Sequence, residues 1–424
     1  MSDDRYRQLV RAGLAPWVEE VPQGREWSEL EEVPPITTEP ASRGKPGWIV
    51  AVGTAAIVMA VFSVTLLLSP AEETPTASTT PTVTSAAFDV EPPVLDLRTN
   101  SRVYFSDGFG LLTEVDIDAR SVTIHEVPEI APGDPLYKLV SRGDVFVFYG
   151  QTDVGPATFA IDPDSPATPT LIDDEAWFFV PSAVEDRVWI AVLDPASPDT
   201  VRALKAVREV SVDGTVTTPD VAPPDGRWPV AAVADGLVFQ GEDVLEIWDP
   251  ETQEFVVSLP GPFPVAAWGN RIVTCGQELV GDVVVDECSQ LELVDLDADT
   301  QRTIDVPNGV AYVDGYGGAF SEDGRYVAVP GFLTDDRPLT PETELVVVLV
   351  DFDTGEASVI PGTLTTNRFA FPRVAWSSAD EWLFMGPFAS ESDAGELRAY
   401  RPSDKTAYRV PIELEDEYFG MAAN

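Results

Sequence analysis

Acids are the most abundant side chains capable of chemistry in this chain. It carries 72 Asp and Glu against 26 Lys and Arg, a net charge of −46 over 424 residues. Asp295, Asp297 and Asp299, and likewise Asp351 and Asp353, alternate in sequence as calcium ligands do. An EF-hand loop needs glycine at its sixth position and an acid at its twelfth. Counted from Asp295, those positions hold Thr300 and Val306. Both clusters therefore read as hairpin turns in which Asp accepts bonds from its own backbone. The single histidine, His125, cannot build a His-rich metal centre and is thin support for a catalytic triad. No G-x-S-x-G elbow occurs. Carboxylate pairs are so numerous that none stands out as the acid and base of a glycosidase. The expectation is no catalytic residue, no metal ligand and no cofactor.

Charge also sets the partners. Phosphate contacts need Lys and Arg, and only four lysines are present, Lys45, Lys138, Lys205 and Lys405, so nucleic acid is excluded as a ligand. The two cysteines, Cys275 and Cys288, are an even count and point to one disulfide in an oxidising compartment.

The elements that position these residues come from two patterns. The first is an uncharged run from Pro46 to Ala71 containing Trp48–Leu68, long enough as a helix to cross a bilayer. Arg43 and Lys45 precede it and Glu72 and Glu73 follow, so the N-terminus is expected inside and the rest outside the cell. Residues 1–47 then form a cytoplasmic tail, mostly disordered by composition. Tyr6, Leu9, Val10, Leu14 and Trp17 fall near helical spacing and could dock a cytoplasmic partner. Residues 48–68 are the transmembrane helix, and residues 69–93 are a Thr/Pro-rich extracellular linker. The absence of an N-x-[ST] sequon in the external part fits a bacterial cell envelope.

The second pattern fills residues 94–424. A short apolar strand after a polar turn recurs seven times, at 102–107, 144–150, 186–192, 235–241, 270–276, 324–331 and 381–387. Each copy is followed by a hairpin with an Asp/Gly/Pro turn, and a further small apolar segment leads into the next copy. Units of four short strands and about 47 residues match the blades of a β-propeller. The fold class expected is all-β, a propeller of about seven four-stranded blades, with six or eight as the alternatives. Only Val201–Val210 has the look of a helix.

Phe320-Ser321-Glu322-Asp323-Gly324-Arg325-Tyr326-Val327-Ala328-Val329 resembles the F-S-P-D-G-[KR]-x-[IVL]-A-[FV] repeat of TolB-like, WD40-like (PD40-type) propellers. Trp376-Ser377-Ser378-Ala379-Asp380-Glu381-Trp382 is similar but lacks the glycine and the basic residue. The resemblance implies a propeller of the kind found in envelope proteins that bind other proteins and in prolyl-oligopeptidase-type hydrolases. Seven units depart from the six of TolB. Physically, Asp323-Gly324 fits a tight turn into the next strand, a structural role.

In that register Cys275 ends the second strand of the fifth unit and Cys288 begins the third. The loops joining successive blades carry Tyr137, Trp177, Phe178, Trp228, Tyr312, Tyr316 and Phe369, and long aromatic loops on a rigid scaffold are where binding resides. The function expected is a membrane-anchored binding or sensing module for an unidentified protein or small ligand. The alternatives are an extracellular hydrolase acting on carbohydrate or lactone in the channel, and an envelope scaffold.

Overall fold

The computed structural model describes residues 88–424, apart from short interior stretches of which 195–203 is the longest. The tail, the Trp48–Leu68 segment and the linker up to residue 87 lie outside the described residues. Among the described residues no helix is long and apolar enough to cross a membrane, and the one helical element is a single 3-10 turn, Pro224–Gly226.

The named strands all pair antiparallel, and their pairings define seven blades. Blade 2 is built from Leu136–Arg142, Val145–Thr152, Gly155–Ile161 and Thr170–Asp173, hydrogen-bonded in that order from the centre outwards. Blade 4 repeats the order with Pro229–Val233, Gly236–Gln240, Val244–Asp249 and Glu254–Pro260. In blade 5 the strands are Pro264–Trp268, Arg271–Cys275, Gln290–Asp295 and Thr300–Asp305. Blade 6 starts with Tyr312–Asp314 and Ala319–Phe320, both paired to Tyr326–Phe332, and continues through Glu344–Asp351 to Glu356–Val359. Arg373–Trp376, Leu383–Ala389, Gly395–Arg401 and Thr406–Leu414 make blade 7.

Two blades depart from the simple repeat. Blade 1 takes three strands from its own stretch, Arg102–Asp107, Leu111–Asp116 and Ser121–Glu126. Its innermost strand is the last of the chain, Tyr418–Ala423, which pairs with Arg102–Asp107 and sets Phe105 opposite Met421. That exchange ties the two ends of the ring together without leaving a sheet edge at the seam. Blade 3 has three full strands, Ala176–Pro181, Arg187–Leu193 and Leu204–Ser211. Its fourth position is filled only by the isolated pairs Val210–Val216 and Val207–Val221. Val201–Val210 is therefore not the helix its spacing suggests: Leu204–Ser211 is a strand, with Val207 and Val210 completely buried between neighbours.

Blades stack on both faces, so the middle strands are buried on both sides and read as continuous apolar runs. Glu344–Asp351 and Tyr326–Phe332 show this, with nearly every residue buried. Outermost strands meet water, and Ser121–Glu126 and Thr300–Asp305 are accordingly mostly exposed. The core is a ring of seams. A separate apolar cluster fills each junction, such as Val147, Phe179 and Ile190 between blades 2 and 3, or Trp382, Phe384 and Phe105 between blades 7 and 1.

The Phe320–Val329 motif shapes one such junction. Ser321 Oγ donates to Asp323 Oδ1 at 2.7 Å, and the Tyr326 amide donates to Ser321 Oγ at 2.8 Å. Gly324 has φ 70°, which only glycine adopts readily, and it lies flat against the Trp268 indole of blade 5.

The disulfide forms between Cys275 and Cys288, with Cα atoms 5.0 Å apart. Its placement differs from the register expected. Cys288 does not begin the third strand, which starts at Gln290. It sits in a short strand, Glu287–Cys288, paired with Val313 and Asp314 of blade 6. The bond therefore links the second strand of blade 5 to the sheet of blade 6.

Candidate functional site

Each inner strand has a leading end, where the chain arrives from the preceding blade, and a turn end, where it reverses into the second strand. The leading ends of blades 2 to 5 share a defect. Register slips between Tyr137 and Val140, between Ala176 and Phe178, between Pro229 and Ala231, and between Pro264 and Ala266. A bulge at this point frees one residue from the ladder and re-aims its side chain. In blade 2 the slip spans Lys138 and Leu139, and Lys138 has φ 49°.

Lys138 reaches across the seam to blade 3. Its Nζ donates to the Phe179 carbonyl at 2.8 Å and sits 4.3 Å from the centre of the Phe178 ring and 5.4 Å from that of Phe179. Phe178 meets Trp228 edge-on at 6.1 Å, and Tyr149 of blade 2 meets Phe178 at 6.3 Å. Three successive blades thus bring one amine and three partly exposed rings together, from positions separated by up to about 90 residues in the sequence. Burial, aided by the nearby Arg142 cation, pushes the Lys138 ammonium down to about 7.

The opposite flank of the ring carries a different pair. Arg373, at the leading end of blade 7, is pushed down by burial, an effect that the Asp314 carboxylate of blade 6 opposes. Nearby, Arg398 donates to the Gly362 carbonyl and lies 4.4 Å from the Phe388 ring centre. Burial lowers it to about 10.

The loop aromatics expected to form a binding face divide among these places. Phe178 and Trp228 converge as described, both half-buried. Tyr137 and Trp177 lie on the inner strands of blades 2 and 3 beside Lys138 and Phe178, but their side chains fall outside the described residues, as do Tyr316 and Phe369 entirely. Tyr312 differs from expectation. It is in a strand rather than a loop, 4% exposed, and stacked on Phe332 with ring centres 4.4 Å apart. There the inner strand begins with an aromatic that fills its own blade.

The remaining sequence candidates are accounted for by local bonds. His125 Nε2 is 2.7 Å from Glu114 Oε2 on the outer part of blade 1. Asp295 accepts from the Ala298 amide, and Asp351 from the Asp353 and Thr354 amides, so these acids cap turns. Among the described residues no group of His, Cys, Asp and Glu is arranged to hold a metal ion. Lys138 is the residue that sequence reasoning passes over. The available signal is a rare lysine inside the apolar inner-strand stretch Leu136–Val140 of a strongly acidic chain.

The sequence matches no protein-family model and no curated protein. In structure the chain resembles TolB of Acinetobacter baumannii at 13% identity, covering 76% of this chain and 66% of that one with a TM-score of 0.42. It also resembles the periplasmic gluconolactonase PpgL of Pseudomonas aeruginosa at 16% identity, covering 76% of this chain and 98% of that one with a TM-score of 0.45. AztD of Citrobacter koseri matches at 13% identity, covering 76% and 97% with a TM-score of 0.39. The propeller itself rests on the strand pairings of this chain.

Proposed function

We propose that this chain is a single-pass, membrane-anchored propeller of a bacterial cell envelope, acting outside the cytoplasm as a binding or sensing module. Its binding end is the set of leading ends on blades 2 to 4. The observation that carries this reading is the convergence of Lys138, Phe178 and Trp228 from three blades. Rings and an amine held on rigid strands present recognition groups at little entropic cost. Support for the anchor comes from the uncharged Trp48–Leu68 run with its basic residues on the N-terminal side. The N-terminal tail is then free to meet a cytoplasmic partner.

Protease added to intact cells tests the arrangement. Removal of the propeller with a small membrane-bound stub left behind is the expected result. A protected propeller would contradict it.

A further inference from the structure

The arginines of this propeller mostly face acids. Arg208 meets Asp173 at 2.6 Å, Arg227 meets Glu246 at 2.7 Å, and Arg325 meets Asp351 at 3.0 Å. With acids outnumbering bases almost three to one in the sequence, such partners are easy to supply. Lys138 is an exception. Its Nζ bonds a backbone carbonyl and touches two phenylalanine rings, and among the described residues no carboxylate forms an ion pair with it.

Among the described residues the charged and titratable groups around it are few. Arg142 lies on its own strand, and Tyr149 is on the second strand of blade 2. Arg142 in turn donates to the Ser182 carbonyl and feels the charge of Glu185 nearby. From blade 3 come Phe178 and Phe179, and from the connection to blade 4 comes Trp228, preceded by Arg227 with its own partner Glu246. An amine desolvated by rings and set beside a second cation gives up its proton more readily, and the uncharged fraction is the form in which lysine is a nucleophile. Lys138 nonetheless remains partly open to solvent.

We propose that Lys138 is the reactive amine of a covalent site for carbonyl compounds, aldehydes or ketones that lie against Phe178 and Trp228. The nitrogen lone pair forms a bond to the carbonyl carbon as the carbonyl π electrons move to oxygen. A proton passes from nitrogen to that oxygen, giving a carbinolamine. Water leaves as the C=N bond forms, and nothing is oxidised or reduced. The inference deepens the binding reading and relies on it for the idea that a ligand visits this wall. The alternative role for Lys138 is a tie between blades 2 and 3 with no reactivity.

The test uses the full chain in detergent micelles at pH 7, with glyceraldehyde as the probe. Sodium cyanoborohydride reduces the imine to a stable secondary amine, which peptide mapping then locates. Lys205 and Lys405 are both exposed and serve as internal references. At pH 7 an ordinary lysine is almost wholly protonated, so Lys138 should be labelled at least about 10-fold faster than either. The preference should vanish in urea, where the rings no longer surround the amine. Lys138→Arg should remove the fast-labelled peptide and leave the labelling of Lys205 and Lys405 unchanged. Should that variant fail to fold, the labelling of folded against unfolded wild type still decides the matter. Labelling of Lys138 no faster than Lys405, or a preference that survives urea, would overturn the proposal. This readout needs neither a membrane nor a partner, so its failure leaves the anchored-module reading standing. Failure of the protease test would likewise leave the labelling result intact.

Discussion

At the turn ends of the blades, polar groups are matched from one blade to the next. Asn270 of blade 5 donates to Asp297 at 2.9 Å and to Asp235 of blade 4 at 3.4 Å, while its own side-chain oxygen accepts from the Asp235 amide. Arg271 donates to the Gly324 carbonyl of blade 6 and pairs with Asp353, and Arg142 donates to the Ser182 carbonyl of blade 3. At the leading ends of blades 2 to 4 the same strands bulge, and an amine rests on rings instead of acids. One scaffold thus has two uses. Polar groups bonded across the seams hold the ring in register. The leading ends keep partly exposed aromatic surface and an amine that pairs with no carboxylate among the described residues.

The largest effect should come from breaking a turn end. Gly236 turns blade 4 between its first two strands at φ 146°, and an added Cβ would run into the Trp248 carbonyl. Backbone cannot swing aside as a side chain can. Gly236→Ala should therefore destabilise by about 3 kcal/mol, read as a lowered urea midpoint. An unchanged midpoint would mean the turn ends are not what fixes the ring.

Next in size is the disulfide. It closes a loop of 13 residues in sequence separation. Replacing Cys275 and Cys288 together by Ala should cost about 3 kcal/mol on the chain-entropy model. Because the bond spans blades 5 and 6, hydrogen exchange should quicken at Glu287–Cys288 and Tyr312–Asp314 before it changes in blade 2. Uniform change around the ring would show that the bond is not a local tie.

Smaller for each pH unit and opposite in kind is the effect at Lys138. Its ammonium is lowered to about 7 when folded, from an unfolded value of 10.5. Between those values the unfolded chain binds the extra proton, so stability rises with pH, and below pH 7 the full cost of the buried cation remains. Lys138→Met removes that cost. Its stability advantage over wild type should be greatest at pH 6 and shrink from pH 7 to 10, by at most about 1.4 kcal/mol per pH unit. A pH-independent difference would mean that Lys138 titrates as an ordinary surface lysine.

Much of this is legible in the sequence because a doubly covered strand writes itself as an apolar run. Each of the seven runs, such as Val145–Thr152 and Tyr326–Phe332, is the second strand of a blade. Closure is not legible. Tyr418–Ala423 carries no turn motif tying it to residue 102, and its partner lies more than 300 residues away. Local pattern puts Cys288 one strand too far along because Glu287–Cys288 pairs with the next blade, a tertiary choice that the pattern does not encode. Tyr312 reads as a loop aromatic, since nothing in its neighbourhood announces that Phe332 will cover it. Lys138 is hidden for a related reason: its setting comes from Phe178, Phe179 and Trp228, all on later segments of the chain.

Photo-cross-linking in intact cells tests the division between the two ends most directly. A benzophenone amino acid is placed in the full chain either at Trp228, on the leading end of blade 4, or at Asp235, on the turn end of that blade. Specific adducts are expected from position 228, reduced by Phe178→Ala, and none above background from position 235. Adducts arising chiefly from position 235 would contradict this division and move the binding end to the other side of the propeller.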